Sequence, residues 1–279
     1  MPPGHRQRVP HLKPLTRLFD DAGPSGASLP AQLAGLYDGS LALDPPCVYA
    51  NFVSSIDGVV ALESGTAASG GIISGRNQAD RFVMGLLRAF AEAVLVGAGT
   101  VRAEGRGALW TPEYIFPDAA EGYRALRARL KRAGNPTLVI VTARGDLDPS
   151  GRALQAGALV LTTKAAEAGL RSRLPGASRV LAVSDGDRVA PVDVMRALHA
   201  EGNHVILTEG GPSLFGQLVA AGLVDELFLT VSPALAGQGN NFGLIQGVDF
   251  GKDLKRASLA SIRRHESCLF LRYRLKEAA

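Results

Sequence analysis

The stretch H-V-I-L-T-E-G-G-P-S-L-F-G, residues 204–216, decides how this chain folds. An apolar run rich in β-branched residues ends in two glycines and a proline, and a second apolar run follows at helical spacing. That is a buried strand turning directly into a helix. Pro212 is a favoured first helical residue because its missing N–H would have no partner there. Gly210 and Gly211 allow the sharp turn and let a ligand approach the backbone. The N–H groups of Ser213 and Leu214 then point outward at the positive end of the helix dipole, which makes an anion site.

A second turn of this kind lies upstream. A-V-L-V-G-A-G, residues 93–99, is a short apolar strand ending in Gly97 and Gly99, and Thr100 adds a hydroxyl to the next turn. Either turn alone reads equally well as a plain strand end. Together, at the ends of strands where α/β sheets bind ligands, they suit the two halves of a dinucleotide. Neither is a Rossmann fingerprint or a P-loop, since no third glycine and no Gly-Lys-Ser/Thr follow. Two further strand ends carry polar groups. S-S-I-D-G (54–58) places Asp57 in a turn. T-A-R-G (142–145) places Arg144 beside Thr142, a pair suited to a 2′-phosphate.

Outward from these turns, strands alternate with helices. Strands are expected at 47–57, 93–99, 137–143, 158–163, 179–184, 204–211 and 225–233. Helices are expected at 77–91 with Asn77 as cap, at 119–133, 164–173 and 191–199, and from Pro212 onward. Such alternation implies βαβ units and a mostly parallel sheet with both faces covered. The tail holds L-A-S-I-R-R-H and C-L-F-L-R-Y-R-L, two strands with no helix between them, which should pair antiparallel. The fold class is therefore α/β, three-layered, with an antiparallel C-terminal edge. Residues 1–45 read as a lead-in with one weak helix near 29–37, packed along the surface or partly loose. Residues 46–279 read as one domain.

Composition narrows the function. Of 279 residues, 46% are hydrophobic and 20% charged, which fits a globular chain and excludes a disordered one. The 24 arginines and six lysines are dispersed, so no nucleic-acid face is expected. The densest group, Arg124, Arg127, Arg129, Lys131 and Arg132, reads as a solvated helix face. No apolar run reaches membrane-span length and no secretory apolar stretch opens the chain, so a cytoplasmic enzyme without membrane contact is expected. The two cysteines, Cys47 and Cys268, sit in apolar runs as core thiols. The five histidines have no metal-ligand spacing, so no metal is expected.

In order, S-x-D-G, L-L-R-A, L-V-G-A-G-T-V-R-A-E and L-T-E-G-G-P-S-L resemble the bacterial riboflavin-pathway reductase domain over about residues 46–275. The stand-alone form is the nearest likeness, since no H-x-E paired with P-C-x-x-C marks a deaminase half. The resemblance implies a fold similar to dihydrofolate reductase and NADPH as hydride donor. The substrate it implies is 5-amino-6-(5-phosphoribosylamino)uracil, reduced to the ribitylamino compound. It also implies cofactor contacts from Thr100, Glu104, Thr142 and the loop Gly211, Pro212, Ser213, Leu214, Phe215 and Gly216; Val53, Gly97, Gly99, Arg144 and Gly210 complete the expected cofactor set. Arg88 and Glu209 are implied to grip substrate. Asp57 is the expected catalytic group, stabilising or relaying the proton of a cationic imine, and a homodimer is the expected assembly.

The chain departs from the family pattern at residues 102–110, R-A-E-G-R-G-A-L-W, where a second substrate-phosphate arginine has no counterpart by position. Arg106 is the candidate to replace it. G-I-I-S-G (71–75) stands where the family carries a tryptophan. Two alternatives therefore stay open: a dihydrofolate- or pterin-type reductase of another small heterocycle, and a non-catalytic nucleotide-binding protein.

Overall fold

The computed structural model describes residues 12–21, 29–63, 69–132, 134–237 and 239–275. The chain enters with β1 (Thr16–Asp20) and α1 (Ala31–Tyr37), then β2 (Cys47–Ser54), β3 (Val59–Ala61), α2 (Ser69–Ile73) and α3 (Gln78–Phe90). It continues through β4 (Ala93–Gly97), α4 (Ala98–Glu104), α5 (Pro112–Ile115), α6 (Ala120–Arg129), β5 (Thr137–Val141) and α7 (Arg152–Ala156). Next come β6 (Leu159–Thr163), α8 (Lys164–Arg173), β7 (Arg179–Ser184), α9 (Pro191–Ala200), β8 (Val205–Gly210) and α10 (Pro212–Ala220). The last elements are β9 (Glu226–Val231), β10 (Phe242–Gly243), β11 (Ser258–His265) and β12 (Cys268–Arg274).

Among the described residues, ten strands form one sheet in the order β1-β11-β12-β9-β2-β8-β4-β5-β6-β7. The run from β9 to β7 is parallel, and β12, β11 and β1 continue it antiparallel. The α/β class, the mostly parallel sheet and the antiparallel C-terminal pair are thus as expected. The chain runs outward from β4 to β7 and then returns to lay β8 between β2 and β4. That reversal is a topological switch point, and it opens a crevice at the carboxyl ends of β2, β4 and β8.

The central strands are apolar runs because both faces are covered. One core packs Tyr49, Val94, Val96 and Ile140 against Phe82, Leu86, Leu87, Phe90, Tyr123 and Leu126. The other packs Ala50, Leu95, Val139 and Ile206 against Val194, Leu198, Phe215 and Leu218. Helix α3 starts where Asn77 Oδ1 accepts the N–H groups of Ala79 (2.8 Å) and Asp80 (3.2 Å). This cap satisfies two of the orphan donors of the first turn.

Two departures from the sequence reading bear on the packing. The lead-in is built into the sheet: β1 pairs with β11 as a new edge strand, and Leu15, Leu29, Leu33 and Leu36 join the core. Residues 1–11 and 22–28 of that lead-in lie outside the described residues. The basic group along and just after α6 is not wholly solvated. Arg127 is buried, and its guanidinium donates to the carbonyls of Ala89 (3.2 Å) and Ala91 (2.7 Å), satisfying the C-terminal end of α3. Arg132 is also largely buried, 3.5 Å from Glu92. Both cysteines are buried and unbridged, as expected.

Candidate functional site

Two cavities meet in the crevice at the switch point. The larger, about 850 Å³, is walled by the ends of β4, β5 and β8 and the start of α10. The smaller, about 190 Å³, is walled by the end of β2, one face of α3, and residues 103–115. Ala61, Ser69, Thr100, Ala103, Gly211 and Pro212 belong to both walls, so the two spaces are neighbours across these residues.

The turn after β8 is built as its glycines suggested. Gly210 and Gly211 take positive φ of 39° and 67°, a region that L-residues with a Cβ rarely enter. A Cβ on Gly211 would also stand 3.3 Å from Thr100 Oγ1. Thr100 donates its hydroxyl to the Gly210 carbonyl (3.0 Å), which ties α4 to the end of β8. Phe215 N–H closes the first turn of α10 on the Gly211 carbonyl (3.0 Å). The N–H groups of Ser213 and Leu214 lie ahead of that bond, where an α-helix offers no internal acceptor. Both residues line the larger cavity. A glycine-lined helix start facing a cavity of this size fits the phosphates of a dinucleotide.

Several other expected residues gather here. Gly97, Gly99 and Thr142 line the larger cavity. Thr142 Oγ1 also accepts the Gly145 N–H (3.0 Å), which shapes its own turn. Val53, Arg88, Glu104 and Glu209 line the smaller one. Val53 and Glu104, both expected against the cofactor, therefore line the smaller cavity and not the larger one. Burial and the nearby Glu209 push the Glu104 carboxyl up. Phe215 and Gly216 do not reach either wall. Phe215 is in the core against Phe52, and Gly216 packs on Ile245 and Gln246.

Arg88 and Glu209 are each other's partners. The guanidinium donates Nε to Oε1 (2.8 Å) and Nη2 to Oε2 (2.7 Å), with both side chains 5% exposed. Its Nη1 donates to the carbonyls of Leu109 (3.2 Å) and Thr111 (3.4 Å). The pair holds α3, β8 and the 109–111 loop around the cavity floor.

Three expected residues fall elsewhere. Asp57 lines neither cavity. Its carboxylate accepts the N–H groups of Ala236 (3.1 Å) and Gly237 (2.7 Å). Hydrogen bonds from Ser55 and these backbone groups lower its pKa to about 2. A carboxyl so placed clamps the 234–237 loop. Arg144 is exposed and outside both walls, because the backbone leaves the crevice after Ala143. The arginines on the wall of the larger cavity are Arg102 and Arg188. Arg106 turns away onto Asp148 (2.6 Å) and lines neither cavity.

The sequence reading also missed Asp80, Met84, Trp110 and Tyr114 on the smaller wall. Helical spacing could have found the first two. They lie eight and four residues before Arg88 and so share its face. Trp110, the chain's one tryptophan, lies in the stretch that departs from the family pattern.

A mostly parallel sheet with a crevice at its switch point, a glycine-lined helix start on one cavity and a buried Arg–Glu pair on the cavity beside it defines an α/β protein with two adjoining spaces at the carboxyl ends of its central strands. This chain belongs to the RibD C-terminal domain family, whose model matches residues 46–268. It is 28% identical over 221 residues to the 2,5-diamino-6-ribosylamino-4(3H)-pyrimidinone 5′-phosphate reductase of Archaeoglobus fulgidus, covering 78% of this chain and 93% of that protein. It is also 28% identical over 219 residues to the riboflavin biosynthesis protein RibD of Mycobacterium tuberculosis, covering 77% of this chain; it spans about half (48%) of that protein. Among solved structures, a pyrimidine reductase-like protein of Corynebacterium diphtheriae superposes with a TM-score of 0.68 at 25% identity, over 84% of this chain and 93% of that one.

Proposed function

We propose that this chain is a riboflavin-pathway reductase that uses NADPH to reduce a phosphoribosylamino-pyrimidine to its ribitylamino product. The observation that carries the reading is that a dinucleotide-sized space and a small one holding a few charged groups adjoin at Thr100, Gly211 and Pro212. Two reactants held in adjoining spaces that open to each other are already oriented, which removes much of the entropic barrier to their reaction. The family's named reductases support the same chemistry.

In this reading Gly210 to Leu214 hold the pyrophosphate and Thr100 braces the turn. When bound, the reduced nicotinamide supplies the hydride. The chain's own groups bind and orient the substrate and manage its proton. Arg88 and Glu209 set the floor on which the heterocycle rests. Along the sheet order, Thr142 and Arg188 follow β5 and β7, on the far side of the larger cavity from β2. We assign the 2′-phosphate to Arg188, in place of Arg144. The preferred substrate is 5-amino-6-(5-phosphoribosylamino)uracil, with the 2-amino pyrimidinone as its competitor.

A homodimer is part of the proposal, and a monomeric mass by light scattering at micromolar concentration would remove that part. One observation favours a second reading, a heterocycle without a ribose phosphate: Arg106 is committed to Asp148 and outside the smaller cavity. The test is to offer NADPH with each pyrimidine and with a dihydropterin, and follow loss of the nicotinamide band. Turnover of the pyrimidine alone supports the reading; turnover of the pterin alone replaces it.

A further inference from the structure

Asp80 stands on the first turn of α3, and with Met84 and Arg88 it lines the smaller cavity, so one helix face delivers all three. The Thr230 hydroxyl of β9 hydrogen-bonds its carboxyl. Its other charged and titratable neighbours are Arg81 on its own helix, Glu209 on β8 and the Cys268 thiol on β12. None of them pairs with it as a close counter-ion. Arg81 donates Nε to the Ile115 carbonyl (2.9 Å). The guanidinium of Arg88 is directed to Glu209, Leu109 and Thr111.

The reaction read above needs a proton as well as a hydride. When hydride adds to the carbon of a C=N bond, the π pair moves to nitrogen, and nitrogen must take a proton. Among the described residues, the ionisable side chains on the cavity wall are Asp80, Arg88, Glu104, Tyr114 and Glu209. A guanidinium does not give up its proton. Both Glu209 oxygens are turned to Arg88. Tyr114 is at the rim and 40% exposed. That leaves Asp80 and Glu104, and of the two Asp80 shares the face of α3 that presents Arg88.

We propose that Asp80 is the acid of this site, delivering the proton to the substrate nitrogen as its bond to carbon is reduced. The carboxyl O–H bond breaks, the N–H bond forms, and the resulting carboxylate is reprotonated from solvent. This rests on the reading of the chain as a C=N reductase. Burial is the first cause that raises the Asp80 pKa to about 6, with Glu209 adding to it and Thr230 and Arg81 opposing it. A general acid works best with a pKa near the operating pH.

The test combines cofactor-free and turnover measurements. In cofactor-free protein with carbon-13-labelled aspartate, the resonance missing in Asp80→Asn should titrate with a midpoint of about 6. A midpoint in the ordinary range near ~4 overturns the proposal. In turnover, Asp80→Asn should lower kcat by roughly 10²–10⁴-fold, bind NADPH like the parent and melt no lower. The parent's rate should fall as pH rises through about 6, because the acid form is lost, and this limb should vanish in the variant. Asp80→Glu should restore part of the rate.

An active parent whose Asp80→Asn variant keeps its rate and its pH limb overturns this inference alone. The same holds if the limb disappears instead in Glu104→Gln, which would make Glu104 the acid. The parent's pH limb needs no variant, so the idea stays testable if Asp80→Asn does not fold. A parent that oxidises no NADPH with either pyrimidine overturns the reading of the reaction and this inference with it.

Discussion

The Arg88 guanidinium and the Glu209 carboxylate form a two-pronged ion pair, 2.8 and 2.7 Å long, at the floor of the smaller cavity. Removing one partner leaves the other buried charge uncompensated, a cost of about 3–5 kcal/mol. Arg88→Ala and Glu209→Ala should each lower the melting temperature markedly and abolish turnover. The double variant should be less destabilised than the sum of the two. Additive melts in a double-mutant cycle would show that the pair is not a unit.

Gly211→Val should remove NADPH binding from a protein that still folds. The substitution puts a β-branched residue at a φ of 67° and a Cβ within 3.3 Å of Thr100 Oγ1. The strain is about 1–3 kcal/mol, which most domains survive. Cofactor titration by fluorescence, beside a thermal melt, separates the two effects. A folded variant that binds NADPH like the parent would make this loop a plain strand end.

Arg188→Ala should weaken NADPH by roughly tenfold or more and leave NADH nearly unchanged. A charged hydrogen bond to a phosphate is worth about 1.5–3 kcal/mol. Arg144→Ala should change neither, since Arg144 lies outside the cavity wall. The opposite pattern would return the 2′-phosphate to Arg144.

Asp57 should matter to stability at low pH and not to the chemical step. Its folded pKa, about 2, is below the ordinary 3.8. Its contribution is therefore fully present above about pH 4 and is lost as pH falls toward about 2. Asp57→Asn should flatten that part of the melting curve and leave the pH dependence of turnover near neutrality intact. A changed pH–rate limb near neutrality would restore Asp57 to the chemistry.

The strands were legible in the sequence because a strand buried on both faces is a continuous apolar run, as in A-V-L-V-G and V-I-L-T-E-G. β1 was not legible: T-R-L-F-D is exposed along its length and carries no pattern that sets it apart from a loop. Helices α2, α5 and α7, of four or five residues, are too short to show a period. In the site, the glycine turns were legible because their chemistry is local. The role of Asp57 was not, because its partners Ala236 and Gly237 lie about 180 residues away. Asp80 was hidden for another reason. An aspartate in the first turn of a helix reads as a dipole-stabilising residue, and its place eight residues before Arg88 was the one signal that it shares the face of that residue.

The most direct test of the central claim follows one hydrogen. The protein is mixed with NADPH deuterated at the transferable position of C4 and with 5-amino-6-(5-phosphoribosylamino)uracil, and the product is examined by mass and NMR. The account predicts equimolar loss of the nicotinamide band and deuterium at C1′ of a ribitylamino product. Tight NADPH binding with no deuterium transferred to any offered pyrimidine would contradict it.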